Sequence, residues 1–354
     1  MSKISVIIPT YNIEKYVAKS IKSVLKQTYK NIQVIVVDDK STDSTYNICK
    51  RLSKKDNRLM LVSTDHKGVS AARNVGLSYV TGEYVMFLDG DDWLPFDSLE
   101  NLHKLLVKNN ADLSLGAMYT VSAYKNTKRF IPLAGTFDMN NLSDKINTVF
   151  NFETPLGYVA AKLFKTEIIL HNQIYFDETM KCYEDACFVY SYLKHTKNIC
   201  ACEQPVYYYN RLIMNVATRS FQKERAFWDY KKNCIQFETV KETQLNNKQI
   251  KFISRYYLKG FWIICKYYCE FRLSHDELLD KIQEIYSYYA DFISKESLIT
   301  SNDNNDKNIL LYSTGDINKI INNLIPISKP QVSNLRSSLR KFYTRLKIFK
   351  YYHR

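Results

Sequence analysis

The sequence predicts an α/β fold, a sheet flanked by helices, followed by a mainly helical C-terminal region. Three observations carry this prediction. Short β-branched apolar runs alternate with segments of helical period through the first hundred residues. Those runs are apolar at consecutive positions, as in strands buried on both faces of a parallel sheet. Residues 221–330 then turn helical in pattern, rich in Tyr and Lys, with a polar break near Ser301–Lys307.

The predicted strands are Ile4–Ile8, Gln33–Val37, Leu59–Val62 and Tyr84–Leu88. Between the first two, Val17, Ile21, Val24 and Leu25, with Thr28, keep one helical face. Ile48 and Leu52 follow a capping Asp43, and Ala72, Gly76, Tyr79 and Val80 line a third helix. Such repetition implies right-handed crossovers. Ligands then bind at the carboxyl ends of the strands. That rule selects Pro9–Asn12, Asp38–Asp39 and Asp89–Asp92. Further on, Asp112–Tyr119 continues the sheet, Gly157–Leu170 reads as strand then helix, and Glu184–Lys194 is a helix opening on two acids.

Composition removes several classes. The 354 residues are 45% hydrophobic and 24% charged, as in folded proteins, and 9 Gly against 28 Tyr exclude collagen-like or Gly-rich chains. No apolar run approaches the roughly 20 residues needed to span a bilayer. With no leader pattern after Met1-Ser2-Lys3, the expected location is the cytoplasm. The eight cysteines lack C-x-x-C pairs and nearby His clusters, so they read as thiols. Neither G-x-G-x-x-G nor a P-loop is present. Of the +14 net charge, seven positives lie in residues 331–354, which contain no acid. That basic excess points to an anionic surface.

Three acidic pairs stand at strand or helix ends. Asp38-Asp39 reads either as a helix cap with a spare acid or as an acceptor for a nucleobase or ribose. Asp89-Gly90-Asp91-Asp92 is either a solvated acidic loop or a partial shell for Mg²⁺ or Mn²⁺, whose remaining ligands are substrate phosphates and water. Glu184-Asp185 complements a helix dipole on the plainest reading.

Taken in order, SVIIPTYN (Ser5–Asn12), IVVDDKSTDST (Ile35–Thr45), GVSAARNVGL (Gly68–Leu77), GEYVMFLDGDDW (Gly82–Trp93), AKLFKTEII (Ala161–Ile169) and YEDACF (Tyr183–Phe188) resemble family 2 glycosyltransferases. The resemblance covers residues 1 to about 215. It implies a GT-A fold, a Rossmann-like mixed sheet that binds a nucleotide sugar, with inverting, metal-dependent transfer. The implied domains are a donor half (1–110), an acceptor half with the base (111–220), a helical region (221–330) and a tail (331–354).

Residue by residue, the resemblance implies that Pro9, Thr10 and Tyr11, with Glu14, contact the nucleotide. Asp39 reads the uracil edge, His66 stands near the donor, and Arg73 lies near the diphosphate. Asp89 approaches the ribose or sugar, Asp91 holds Mn²⁺ or Mg²⁺, and Asp92 supports them. Asp185 is the general base, with Glu184 beside it, and Arg211 or Arg219 closes over the diphosphate. The implied partners are a nucleotide-sugar donor, with UDP favoured, and a saccharide acceptor on a lipid carrier. Capsule, lipopolysaccharide and teichoic acid are the product classes.

Leu335, Leu339, Phe342, Leu346 and Phe349 form one helical stripe in the basic tail. It reads as an interfacial membrane helix or as a helix docked on its own domain or on a second subunit. The membrane reading makes the enzyme peripheral to the inner face of the cell membrane. Protein glycosylation and an inactive nucleotide-sugar binder are the neighbouring alternatives. A nucleic-acid-binding module explains neither Asp89–Asp92 nor Asp185, so nucleic acid is not an expected partner.

Overall fold

Four apolar runs become four parallel strands: β1 (Ile4–Thr10), β2 (Ile32–Asp38), β3 (Leu59–Ser63) and β4 (Tyr84–Phe87). The computed structural model describes residues 2–121, 127–130, 134–150, 156–210, 225–240 and 275–290, with isolated positions between 246 and 319. It divides into two units, Met1–Asn246 and Asn247–Arg354. The sequence boundary near residue 220 falls inside the first, where α8 (Arg225–Glu238) joins the helices around the sheet.

β1 and β4 are buried along their whole length, and β2 is buried except at Gln33, as consecutive apolar residues require. Three helices complete the crossovers. α1 (Val17–Leu25) buries Val17, Ile21 and Val24 as its periodicity predicts. α2 (Thr45–Ser53) instead buries Thr45 and Cys49, leaving Ile48 and Leu52 half-buried. Ser44, not Asp43, occupies its N-cap position. Asp43 still caps in effect, because its carboxylate accepts from the Thr45 N–H at 2.9 Å. α3 (Val69–Ser78) buries Ala72, Arg73 and Gly76 against the sheet, while Tyr79 just beyond it is exposed.

The rest of the sheet departs from the parallel pattern. Its order is β3-β2-β1-β4-β8-β5-β9-β7, with β6 (Thr127–Phe130) paired to β5 (Leu113–Val121). β8 (Lys162–Lys165) enters antiparallel between β4 and β5. β9 (Asn198–Asn210) runs parallel to β5, and β7 (Gly135–Asp138) antiparallel to β9. The sheet is therefore mixed. Helices α4 (Ser98–Lys108), α5 (Leu142–Phe150), α6 (Thr166–His171) and α7 (Glu184–Leu193) complete this part of the chain.

Phe87, Phe164, Phe176 and Phe188 form an aromatic core where β4, β8 and α7 meet, with Phe176 stacked on Phe188 at 4.2 Å. Such pairs contribute about 0.5–1.5 kcal/mol beyond area burial. In the second unit the described part is chiefly α9 (His275–Ala290), which buries Ile282. Among the described residues, no helix is long and apolar enough to cross a membrane.

Candidate active site

β1, β2 and β4 end side by side, and each runs into polar residues. At the end of β1, Pro9 and Thr10 are buried within the strand. The Thr10 hydroxyl donates to Asp38 at 3.3 Å. Asp38 also accepts from the Ser41 N–H and hydroxyl, at 3.0 and 2.6 Å, so its carboxylate closes the turn after β2. Asn12, at φ 49°, accepts from the Thr42 N–H at 2.8 Å. Glu14 accepts from the Ser44 N–H at 2.9 Å and so tethers α2.

The second acid of the pair faces a different environment. Asp39 accepts from the Thr64 hydroxyl (2.6 Å), the Lys67 N–H (2.9 Å) and the Gly68 N–H (2.8 Å). Gly68 reaches that position at φ 93°, a conformation glycine adopts without strain. Burial opposes the charge on Asp39. The hydrogen bonds from Thr64, Gly68 and Lys67 nevertheless hold it below the usual carboxylate range. His66 Nδ1 lies 3.4 Å from the same carboxylate, and its ring stacks on exposed Tyr11 at 4.2 Å.

Arg73 is the hub of the other half. Its guanidinium, only 4% exposed, donates to Asp185 at 2.7 Å, to Asp89 at 2.9 Å and to Glu184 at 3.5 Å. It also lies over the Phe176 ring, 5.1 Å from the centroid, so the aromatic core supports it from beneath. Acids from two distant segments, Asp89 and the Glu184-Asp185 pair, thus share one cation. Asp185 opens α7 behind Tyr183, a left-handed residue at φ 66°. Burial raises the Asp185 carboxyl to about 7 against the pull of Arg73, with the like charges of Glu184 and Asp89 adding to the rise. The value belongs to a group that can exchange a proton near neutrality.

The acidic turn after β4 is tied down from β9. A Cβ at Gly90 would come 2.8 Å from the Pro9 carbonyl oxygen, so the turn packs on β1 only with glycine there. Buried Asp92 accepts from the Tyr207 hydroxyl and the Asn210 N–H, both at 2.7 Å, and burial pushes its carboxyl well up. Tyr207 in turn accepts from the Asp89 N–H at 3.2 Å. Asn210 donates its side-chain amide to the Asp91 carbonyl at 3.0 Å.

Among the described residues, no three His, Cys, Asp or Glu side chains converge as a metal cage. Half-buried Asp91, in a turn held by its main chain, suits an ion that takes one protein carboxylate and completes its shell with diphosphate and water. The donor chemistry fits Mg²⁺ or Mn²⁺ in that mode.

The geometry brings together Tyr11, Asp39 and His66 in one cluster, and Arg73, Asp89, Glu184 and Asp185 in another. Arg211, Arg219 and residues 331–354 lie outside the described residues. Sequence reasoning passed over Thr64 and Lys162. Lys162 carried a signal, as a cation inside the otherwise apolar run Ala161–Phe164.

Residues 5–169 match the family model for glycosyl transferase family 2. Glycosyltransferase GlyA of Streptococcus pneumoniae is 46% identical over 118 residues, 33% of this chain and 17% of that protein. The poly(ribitol-phosphate) beta-N-acetylglucosaminyltransferase TarS of Staphylococcus aureus is 31% identical over 212 residues, 59% of this chain and 35% of TarS. The chain thus spans well under half the length of these curated relatives. A crystal structure of S. aureus TarS 1–349 in complex with UDP-GlcNAc aligns with a TM-score of 0.68 at 20% identity, covering 95% of this chain and 92% of that one. That likeness establishes the GT-A fold, with the antiparallel β8 as part of its mixed sheet.

Proposed function

The chain carries a glycosyl transferase family 2 domain over residues 5–169, and from that premise we propose that it moves a sugar from a UDP-sugar to a hydroxyl of a growing cell-surface glycan. One observation carries the reading: Arg73 joins the base candidate Asp185 to Asp89 of the acidic turn within single hydrogen bonds. The names of GlyA and TarS support sugar transfer, and that of TarS supports a polyol-phosphate or related surface polymer as acceptor.

In this reading Asp39, kept anionic, accepts from the uracil edge, while Tyr11 and His66 flank the base. Pro9 and Thr10 form the floor beneath it, with Glu14 holding α2 in register. Asp91 would hold the metal, Asp89 would face the ribose or sugar, and Asp92 fixes the turn against Tyr207. Mn²⁺ or Mg²⁺, when bound, offsets charge gathering on the leaving diphosphate. Asp185 accepts the proton of the acceptor hydroxyl as that oxygen attacks the anomeric carbon. Arg73 aims the Asp185 carboxylate and keeps Glu184 from displacing it. A single displacement inverts the anomeric centre, and no enzyme nucleophile is needed.

A basic tail and a lipid-linked acceptor fit one another: residues 331–354 would hold the enzyme on anionic lipid at the cytoplasmic face, beside its acceptor. The experiment is UDP release from a panel of UDP-sugars, with and without Mn²⁺. Metal-dependent release from one donor is expected. Absence of both release and UDP binding by calorimetry would contradict the reading.

A further inference from the structure

β8 carries a lysine where its neighbours are apolar. Lys162 is 1% exposed, and its ammonium donates to the carbonyls of Tyr158 and, at 3.4 Å, Ala160. Among the described residues, no carboxylate comes within ion-pair distance of it. Burying an ammonium on main-chain carbonyls costs several kcal/mol that an apolar side chain of the same length would not. Burial draws its pKa down to about 7, against the pull of Asp185.

The turn it grips is itself strained. Ala161 is buried at φ 59°, in the left-handed region that strains a residue with a Cβ. The same turn presents the Val159 N–H to Asp185 Oδ2 at 3.5 Å, and its Tyr158 is 41% exposed beside it. The charged groups facing Asp185 are Arg73 from α3, Asp89 after β4, Glu184 on α7 and Lys162 from β8. Arg73 holds one carboxylate oxygen, and the Val159 N–H faces the other.

We infer that Lys162 is a positioning residue, whose ammonium clamps the strained turn Tyr158–Ala161 and thereby fixes the wall of the site from which Val159 aims the second oxygen of Asp185. The inference rests on Asp185 being the base.

The test compares the full chain with Lys162→Met and Lys162→Gln. Met fills the space without charge or donor, whereas Gln keeps one donor. For Lys162→Met, amide exchange over residues 157–161 should quicken about tenfold, the loss of roughly one hydrogen bond's worth of protection. Its melting temperature should stay level or rise, because the buried charge is gone. UDP affinity should be unchanged. With the UDP-sugar that turns over, kcat should fall while donor KM holds, and Gln should restore part of both kcat and slow exchange. Unchanged exchange at 157–161 in Lys162→Met would overturn the inference. So would parallel losses of melting temperature, UDP affinity and kcat, the pattern of a purely structural residue. Should Lys162→Met not fold, Lys162→Gln takes its place: exchange at 157–161 faster than in wild type, with kcat lowered and UDP affinity kept, supports the clamp, and wild-type exchange overturns it. Asp185→Asn separates the two readings: retained turnover there refutes the base, while the exchange result on Lys162 stands by itself.

Discussion

Asp39 and Asp185 open onto the same edge of the sheet and are treated in opposite ways. Asp39 receives three neutral donors and is held below the ordinary carboxylate range against the effect of burial. Asp185 shares one guanidinium with two further carboxylates and is driven up by burial and by those neighbours. Neutral donors make a permanent anion, suited to reading a ligand's N–H. Crowded acids around one cation make a group that exchanges a proton near neutral pH, as general bases require. The same side-chain type is thus divided between binding and chemistry by its surroundings.

Breaking the crowded half should have the largest effect. Arg73→Met leaves three carboxylates facing one another. We expect a loss of roughly 3 kcal/mol in urea unfolding, the low end for broken buried pairs, because Asp89 is 38% exposed and partly solvated. Transfer should vanish with it. Asp185→Asn should cut transfer by about 10²–10⁴-fold and leave UDP affinity, measured by calorimetry, unchanged. Its stability should hold or rise, since one of three like charges is removed.

Smaller effects come from the supports. Tyr207→Phe removes a donor from buried Asp92 and should cost about 2 kcal/mol in thermal unfolding. Thr64→Val removes one of three donors from Asp39, at about 1.5 kcal/mol. A carboxylate with a lowered folded pKa stabilises the fold above its unfolded value, and that stability is lost as pH falls. Thr64→Val shrinks this contribution, so acid unfolding followed by circular dichroism should move to higher pH.

The contrast also separates what the sequence discloses from what it hides. β1, β2 and β4 are legible because a strand buried on both faces must be apolar at every position. The insertion of β8 between β4 and β5 is not, because four residues carry no signal of direction or partner. The acidic turn and the Glu184-Asp185 pair stand out as clustered charge. Their meeting at Arg73 is a matter of tertiary geometry, since Arg73 and Asp185 are 112 residues apart. Asp38 and Asp39 look alike in sequence. Only the turn geometry assigns Asp38 to Ser41 and Asp39 to Thr64, Lys67 and Gly68.

The central claim is that burial, reinforced by the acids around Arg73, sets the protonation of the base. The most direct measurement is the pH dependence of UDP release in wild type and in Glu184→Gln. A base must be deprotonated to act, so the wild-type rate should climb as pH rises through about 7. Removing the like charge of Glu184 lowers the Asp185 value, and the acid limb should shift to lower pH with the plateau rate retained. An acid limb that stays where it was, in a variant that still turns over, would contradict the account.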